Sequence, residues 1–177
     1  MNSLVRFFIV LTLLLGLDAR PCMADVAEGQ IKAAFVFNFI KFTDWPAAVG
    51  SEDKLKLCVV GSNVLGGSLA ALNDRMVGNI KLHVVNIDNA DTNLRRCQVV
   101  FIGESEQSRS ISIIQSVLDS PVLTISEIAH FEEQGGGIGL YYRENRVVFE
   151  INLTAVQRAG LHLPGQLLNL ASKVIRK

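Results

Sequence analysis

Apolar runs bounded by Gly, Asn, Asp or Ser recur along this chain and alternate with stretches of helical period, the rhythm of an α/β protein. Leu55 to Val60 (LKLCVV) predicts a strand, Gly61-Ser62-Asn63 a turn and helix N-cap, and Val64 to Leu72 a helix. In Ile80 to Ile87, Leu82 and Val84 alternate with Lys81 and His83, which predicts a half-exposed strand towards a sheet edge. Val99 to Ile102 (VVFI) is apolar throughout and suits a sheet centre. Ile111, Ile114 and Leu118 repeat at helical period within Ser105 to Leu118, and Val122 to Ile125 predicts the next strand.

The ending changes character. Gly135-Gly136-Gly137 leads into Ile138 to Tyr142, then a charged turn at Arg143-Glu144-Asn145, then Arg146 to Ile151. Two β-rich runs joined by a short polar turn predict an antiparallel hairpin. Leu153 to Ala159 and Gln166 to Ile175 read as helices, with Pro164 near the start of the second, where its missing N–H is harmless. The expected fold is α/β: a single domain with a mostly parallel sheet flanked by helices and a C-terminal antiparallel hairpin, Rossmann-like.

The first residues follow another pattern. Arg6 supplies a short positive region, Phe7 to Leu17 an apolar core, and Cys22-Met23-Ala24 places small residues at the −3 and −1 positions of a cleavage site. Asp18 and Arg20 cut the apolar run short of the ~20 residues a spanning helix needs, and Ala19-Arg20-Pro21 is a poor lipobox before Cys22. Residues 1–24 are therefore expected to be a cleaved signal peptide and residues 25–177 one exported domain. Of the 17 basic and 17 acidic residues, cleavage removes Arg6, Arg20 and Asp18 and leaves 15 and 16. A near-neutral chain without a basic stripe carries no footprint for nucleic acid.

Cleavage also removes Cys22, leaving Cys58 and Cys97 in a chain bound for an oxidising compartment. Residue chemistry alone leaves two readings, a disulfide or a pair of buried thiols packing as small hydrophobes. Without CxxC spacing, and with His83, His130 and His162 scattered singly, nothing in the sequence points to a metal site. Gly61 to Gly67 lacks the GxGxxG order of a dinucleotide fingerprint, so Gly66 and Gly67 are expected to permit close helix packing, and no cofactor is expected. Neither a GxSxG elbow nor HExxH occurs, and Glu132-Glu133, Glu104 and Glu106 lie in polar surroundings, so no catalytic residues are expected.

From Ile31 to Phe42, apolar residues fall in nearly every direction around a helix axis. A helix covering one sheet face needs one apolar stripe. The surplus, with Phe37 and Ile40 as the candidate partner-binding residues, is accounted for either by self-association or a protein partner, or by Trp45, Pro46 and the C-terminal helices wrapping the far side. A rival function, a small-ligand binding module, would use the strand C-termini near Gly61 and Gly103.

Three stretches together resemble the YfiR family of periplasmic regulators: IKAAFVFNFIKFTDWP from Ile31, LCVVG from Leu57, and GGIGL from Gly136 through RVVFEIN (Arg146 to Asn152) to AGL at Ala159 and LLNLA at Leu167. The resemblance implies a single periplasmic α/β domain that represses an inner-membrane diguanylate cyclase by holding its periplasmic sensor domain inactive. It also implies an outer-membrane lipoprotein that sequesters the repressor, with cyclic-di-GMP and biofilm as the output, and no catalysis. It further implies a Cys58–Cys97 disulfide between neighbouring strands. Some relatives carry a second bridge nearer the hairpin, where this chain has no cysteine.

Overall fold

A computed structural model describes residues 22–46, 54–62, 64–87 and 93–176. The expected leader thus lies outside the described residues up to 21, and the first helix, α1, runs Cys22–Phe42. No helix among the described residues is long and apolar enough to cross a membrane.

Eight strands form one sheet: β1 Lys54–Val60, β2 Met76–Val77, β3 Ile80–Ile87, β4 Val99–Ile102, β5 Leu123–Ser126, β6 Ile138–Arg143, β7 Arg146–Asn152 and β8 Lys173–Ile175. Their spatial order is β2-β3-β1-β4-β5-β6-β7-β8. β3, β1, β4, β5 and β6 are mutually parallel, β2 and β7 pair antiparallel to β3 and β6, and β8 runs parallel to β7. The run β3-β1-β4-β5 puts the first long strand inside, and the order in which the parallel strands are added switches sides between β1 and β4, the doubly wound topology expected from the sequence.

The sheet separates two cores. On one face α1, the Val64–Leu72 segment and residues of α3 (Leu153–Arg158) and α4 (Gly165–Leu170) bury Phe39, Ile40, Leu57, Phe101, Ile138 and Phe149. The other face holds α2 (Ser110–Ser116), both cysteines and Phe131. β4 and β5 are buried at every position, while β3 buries Leu82 and exposes Lys81 and His83, the edge pattern expected.

Three local expectations are corrected. Val64–Leu72 is a kinked 3₁₀ segment, because Leu65, Gly66 and Gly67 take φ of 47°, 56° and 79° in succession. A Cβ on Gly66 or Gly67 would meet nothing within 4 Å, so these glycines serve the left-handed backbone and not close packing. Close approach belongs to Gly29 of α1, whose Cβ would lie 2.6 Å from the Leu65 carbonyl oxygen. Gly66→Ala is accordingly expected to cost about 1–2 kcal/mol through backbone strain alone, and urea denaturation of the pure variant measures it.

Ser105 to Leu118 is helical as 3₁₀ over Glu104–Arg109 and α over Ser110–Ser116 (α2), but the buried apolar residues are Ile113, Ile114 and the following Val117, whereas Ile111 is 54% and Leu118 40% exposed. Finally, the predicted last helix stops at Leu170 and the chain returns to the sheet as β8. The N–H and hydroxyl of Ser172 both donate to the Phe149 carbonyl at 2.9 Å, which docks this strand beyond the hairpin as the sheet edge. The hairpin itself has Glu144 and Asn145 at φ 50° and 61°, the left-handed pair of a two-residue turn.

Candidate functional site

α1 is the element to which the sequence assigned a second surface. Its inner side enters the core through Ala33, Val36, Phe39 and Ile40, and the Phe39 ring lies edge-on to Phe149 with centroids 5.0 Å apart. Ile40 is 0% exposed, so it presents nothing to a partner. That part of the assignment is corrected, because residue 40 falls on the same face as Val36 and Phe39. Phe37 is half-buried, with the Arg75 guanidinium 4.2 Å above its ring. Wrapping of the far side is partial: Trp45 Nε1 donates to the Ile40 carbonyl, and Asp44 pairs with His162 of the segment between α3 and α4. What remains outward is a stripe at helical spacing, Ile31, Ala34, Asn38, Lys41 and Phe42, whose two large apolar members are each 47% exposed.

The middle of α1 is anchored by charge. Lys32, only 6% exposed, pairs with Glu28 at 2.6 Å and with Glu127 after β5 at 2.9 Å. Burial alone would lower its pKa, but the hydrogen bonds and charges of the two carboxylates outweigh it and raise it. These groups and Glu104 border a cavity of about 280 Å³ at the C-terminal end of the parallel strands. The crevice between β1 and β4 itself is closed: a Cβ on Gly61 would lie 2.6 Å from Ser105 Oγ, and one on Gly103 would lie 2.6 Å from Val64 Cγ2. With three carboxylates and one ammonium at its rim, the neighbouring cavity repels phosphate, so the small-ligand reading loses its nucleotide version here.

Cys58 of β1 and Cys97, which precedes the adjacent β4, form a disulfide with Cα atoms 5.9 Å apart. Both are buried under α2, at 1% and 2% exposure.

The base of the hairpin holds the second concentration of polar groups. Glu132, 0% exposed, lies in the turn that follows β5. Tyr141 of β6 donates to its Oε2 at 2.5 Å, and Asn152 of β7 donates to its carbonyl at 2.8 Å while capping α3 through Ala155 N–H. The glycine run makes room for this. A Cβ on Gly136 would collide with the Phe131 ring at 2.1 Å, and one on Gly139 with Tyr141 and, at 2.6 Å, with Glu132 Oε2. Glu132 and Glu150 are neighbours. Burial, then the Glu150 carboxylate, raises the pKa of Glu132. Burial opposes ionisation of Glu150 too, but its hydrogen bonds with Glu132 and Arg143 and the Lys173 charge hold its pKa below the usual value. The noncovalent link between Glu132 and Tyr141 thus ties the hairpin to the preceding turn in a chain that has no second pair of cysteines.

The comparison with protein families decides the identity: the model of the YfiR/HmsC-like family matches residues 29–172. The chain belongs to this family. YfiR/HmsC-like proteins are regulators of the periplasm that act on diguanylate cyclase, and not enzymes. Among solved structures, a conserved domain protein from Vibrio cholerae O1 biovar El Tor strain N16961 has the same fold, with a TM-score of 0.55 at 13% identity. The match covers 81% of the present chain and 60% of that one, so the present chain spans under two thirds of the Vibrio chain's length.

Two parts of the site escaped sequence reasoning. The outward pair Ile31 and Phe42 was hidden because an all-round apolar helix has no phase. Burial of Glu132 was hidden because its partners come from the hairpin; the signal available was the spacing of Gly136, Gly139 and Tyr141 after the Glu pair.

Proposed function

We propose that this YfiR/HmsC-like protein is exported by cleavage after Ala24 and represses an inner-membrane diguanylate cyclase by binding its periplasmic sensor domain. The observation that carries the reading is α1: one side already fills the core, yet Ile31 and Phe42 are 47% exposed and Phe37 lies half-open beneath Arg75. Exposed apolar residues flanked by Asn38 and Lys41 are what a protein-binding face offers. A sequestering outer-membrane lipoprotein would release the cyclase by competing for the repressor, and a homodimer would present the face twice. The output is cyclic-di-GMP and biofilm formation.

The test is Phe37→Glu. A carboxylate at this position faces Arg75, so folding is expected to survive, while an interface closing over it must desolvate an extra charge. Binding to the purified sensor domain is expected to weaken at least about tenfold, with thermal unfolding moved by no more than a few degrees. Unchanged binding refutes α1 as the face, and binding lost only in step with folding places Phe37 in the core instead.

A further inference from the structure

We propose that His130, Glu132 and Glu133 form a binding site for a divalent transition-metal ion at the base of the hairpin. His130 Nδ1 and a carboxylate oxygen from each glutamate lie within 4.8 Å of one another, and Nδ1 is 3.5 Å from Glu133 Oε2. The independent observation is Glu132: its side chain is 0% exposed, Oε2 is held by Tyr141, and Oε1 accepts no hydrogen bond. The nearest cation to it, the Lys173 ammonium at 3.9 Å, stands beyond hydrogen-bond distance, so this buried oxygen is only partly compensated.

A route to it exists. Glu132 and Glu133 border an open cavity of about 640 Å³, together with Asn152, Arg158 and Lys173. His130 and Glu133 are 69% and 47% exposed at their side chains, so both can swing towards the fixed Glu132. Tetrahedral coordination at ~2.0–2.2 Å puts neighbouring donor atoms about 3.3–3.5 Å apart. The Nδ1–Glu133 spacing already satisfies this, and the remaining closure of about an ångström falls on exposed side chains. One imidazole with two carboxylates favours zinc-like ions over magnesium or calcium, and three protein donors leave a position open to the cavity.

The present counter-ion is Lys173. Its ammonium bonds Glu133 and stands 3.9 Å from Glu132 Oε1 and 3.9 Å from Glu150 Oε2. A metal ion has to displace this ammonium, whose side chain is 44% exposed and free to turn outward. Lys173 is therefore a competitor that sets the affinity.

Titration of the tag-free protein with zinc sulfate by calorimetry, with equilibrium dialysis for stoichiometry, tests the site. One zinc ion per chain is expected. His130→Ala, at an exposed position, should weaken binding by about tenfold or more, Lys173→Met should tighten it several-fold, and His83→Ala should change nothing. Magnesium and calcium should not compete at equal concentration. Failure of both the wild type and Lys173→Met to bind zinc overturns the proposal, and so does stoichiometric binding that survives in His130→Ala. Neither outcome bears on cyclase binding by α1, which lies across the sheet.

Discussion

Replacing Cys58 and Cys97 together with Ser is expected to lower the unfolding free energy by roughly 4 kcal/mol. The bridge spans 39 residues and restricts the unfolded chain, so its removal restores loop-closure entropy to that state. The substitution adds two hydroxyls at positions 1% and 2% exposed among apolar neighbours, which deepens the loss. Each single variant should match the double, because either breaks the bond. Denaturant unfolding of the oxidised proteins measures this. A double variant with an unchanged midpoint, or two reactive thiols per chain in the oxidised wild type, would sink it. On the proposed function, less folded protein should appear as more cyclic-di-GMP in a cell carrying the cyclase.

The second large effect is expected at Phe39. Truncation to Ala removes a ring that is 0% exposed and lies among Phe149 at 5.0 Å and Phe35 at 6.1 Å, leaving a cavity the sheet cannot close. About 3–5 kcal/mol of stability should be lost. Phe37→Ala, two residues away and on the half-open side, should cost only ~1 kcal/mol through lost area and the Arg75 contact. The contrast separates the two sides of α1. Equal losses at the two positions would mean that α1 is buried all round, and the binding face would have to be sought elsewhere.

The sheet was legible where the signal is local. Leu55 to Val60 is a run bounded by a glycine turn, Leu82 and Lys81 alternate, and Arg143-Glu144-Asn145 is polar between two β-rich runs; each pattern is set by neighbours a few residues away. The bridge followed from the family resemblance, not from spacing. Legibility ended where distant partners decide. Lys173 to Ile175 is too short to show a period, and it becomes a strand only because Ser172 bonds the Phe149 carbonyl. Val64 to Leu72 carries helix-forming residues, yet two consecutive glycines let the backbone turn left-handed. In α1 the apolar positions were legible, but which side of the helix faces the core was not. Nine apolar residues of twelve point everywhere, so Ile40 and Phe37 were interchangeable until the sheet fixed which one faces inward.

The burial of the bridge under α2 has a kinetic consequence. Thiol–disulfide exchange needs a thiolate to approach a sulfur along the S–S axis, and sulfurs on residues 1% and 2% exposed offer no approach while the second core is closed. A reductant in the surroundings therefore has to wait for that core to open. The lifetime of the oxidised form then depends on how often α2 opens from the sheet as well as on the thiols met while it is open. A brief fluctuation in external thiols therefore meets few open molecules, whereas an unfolded chain is exposed to it in full.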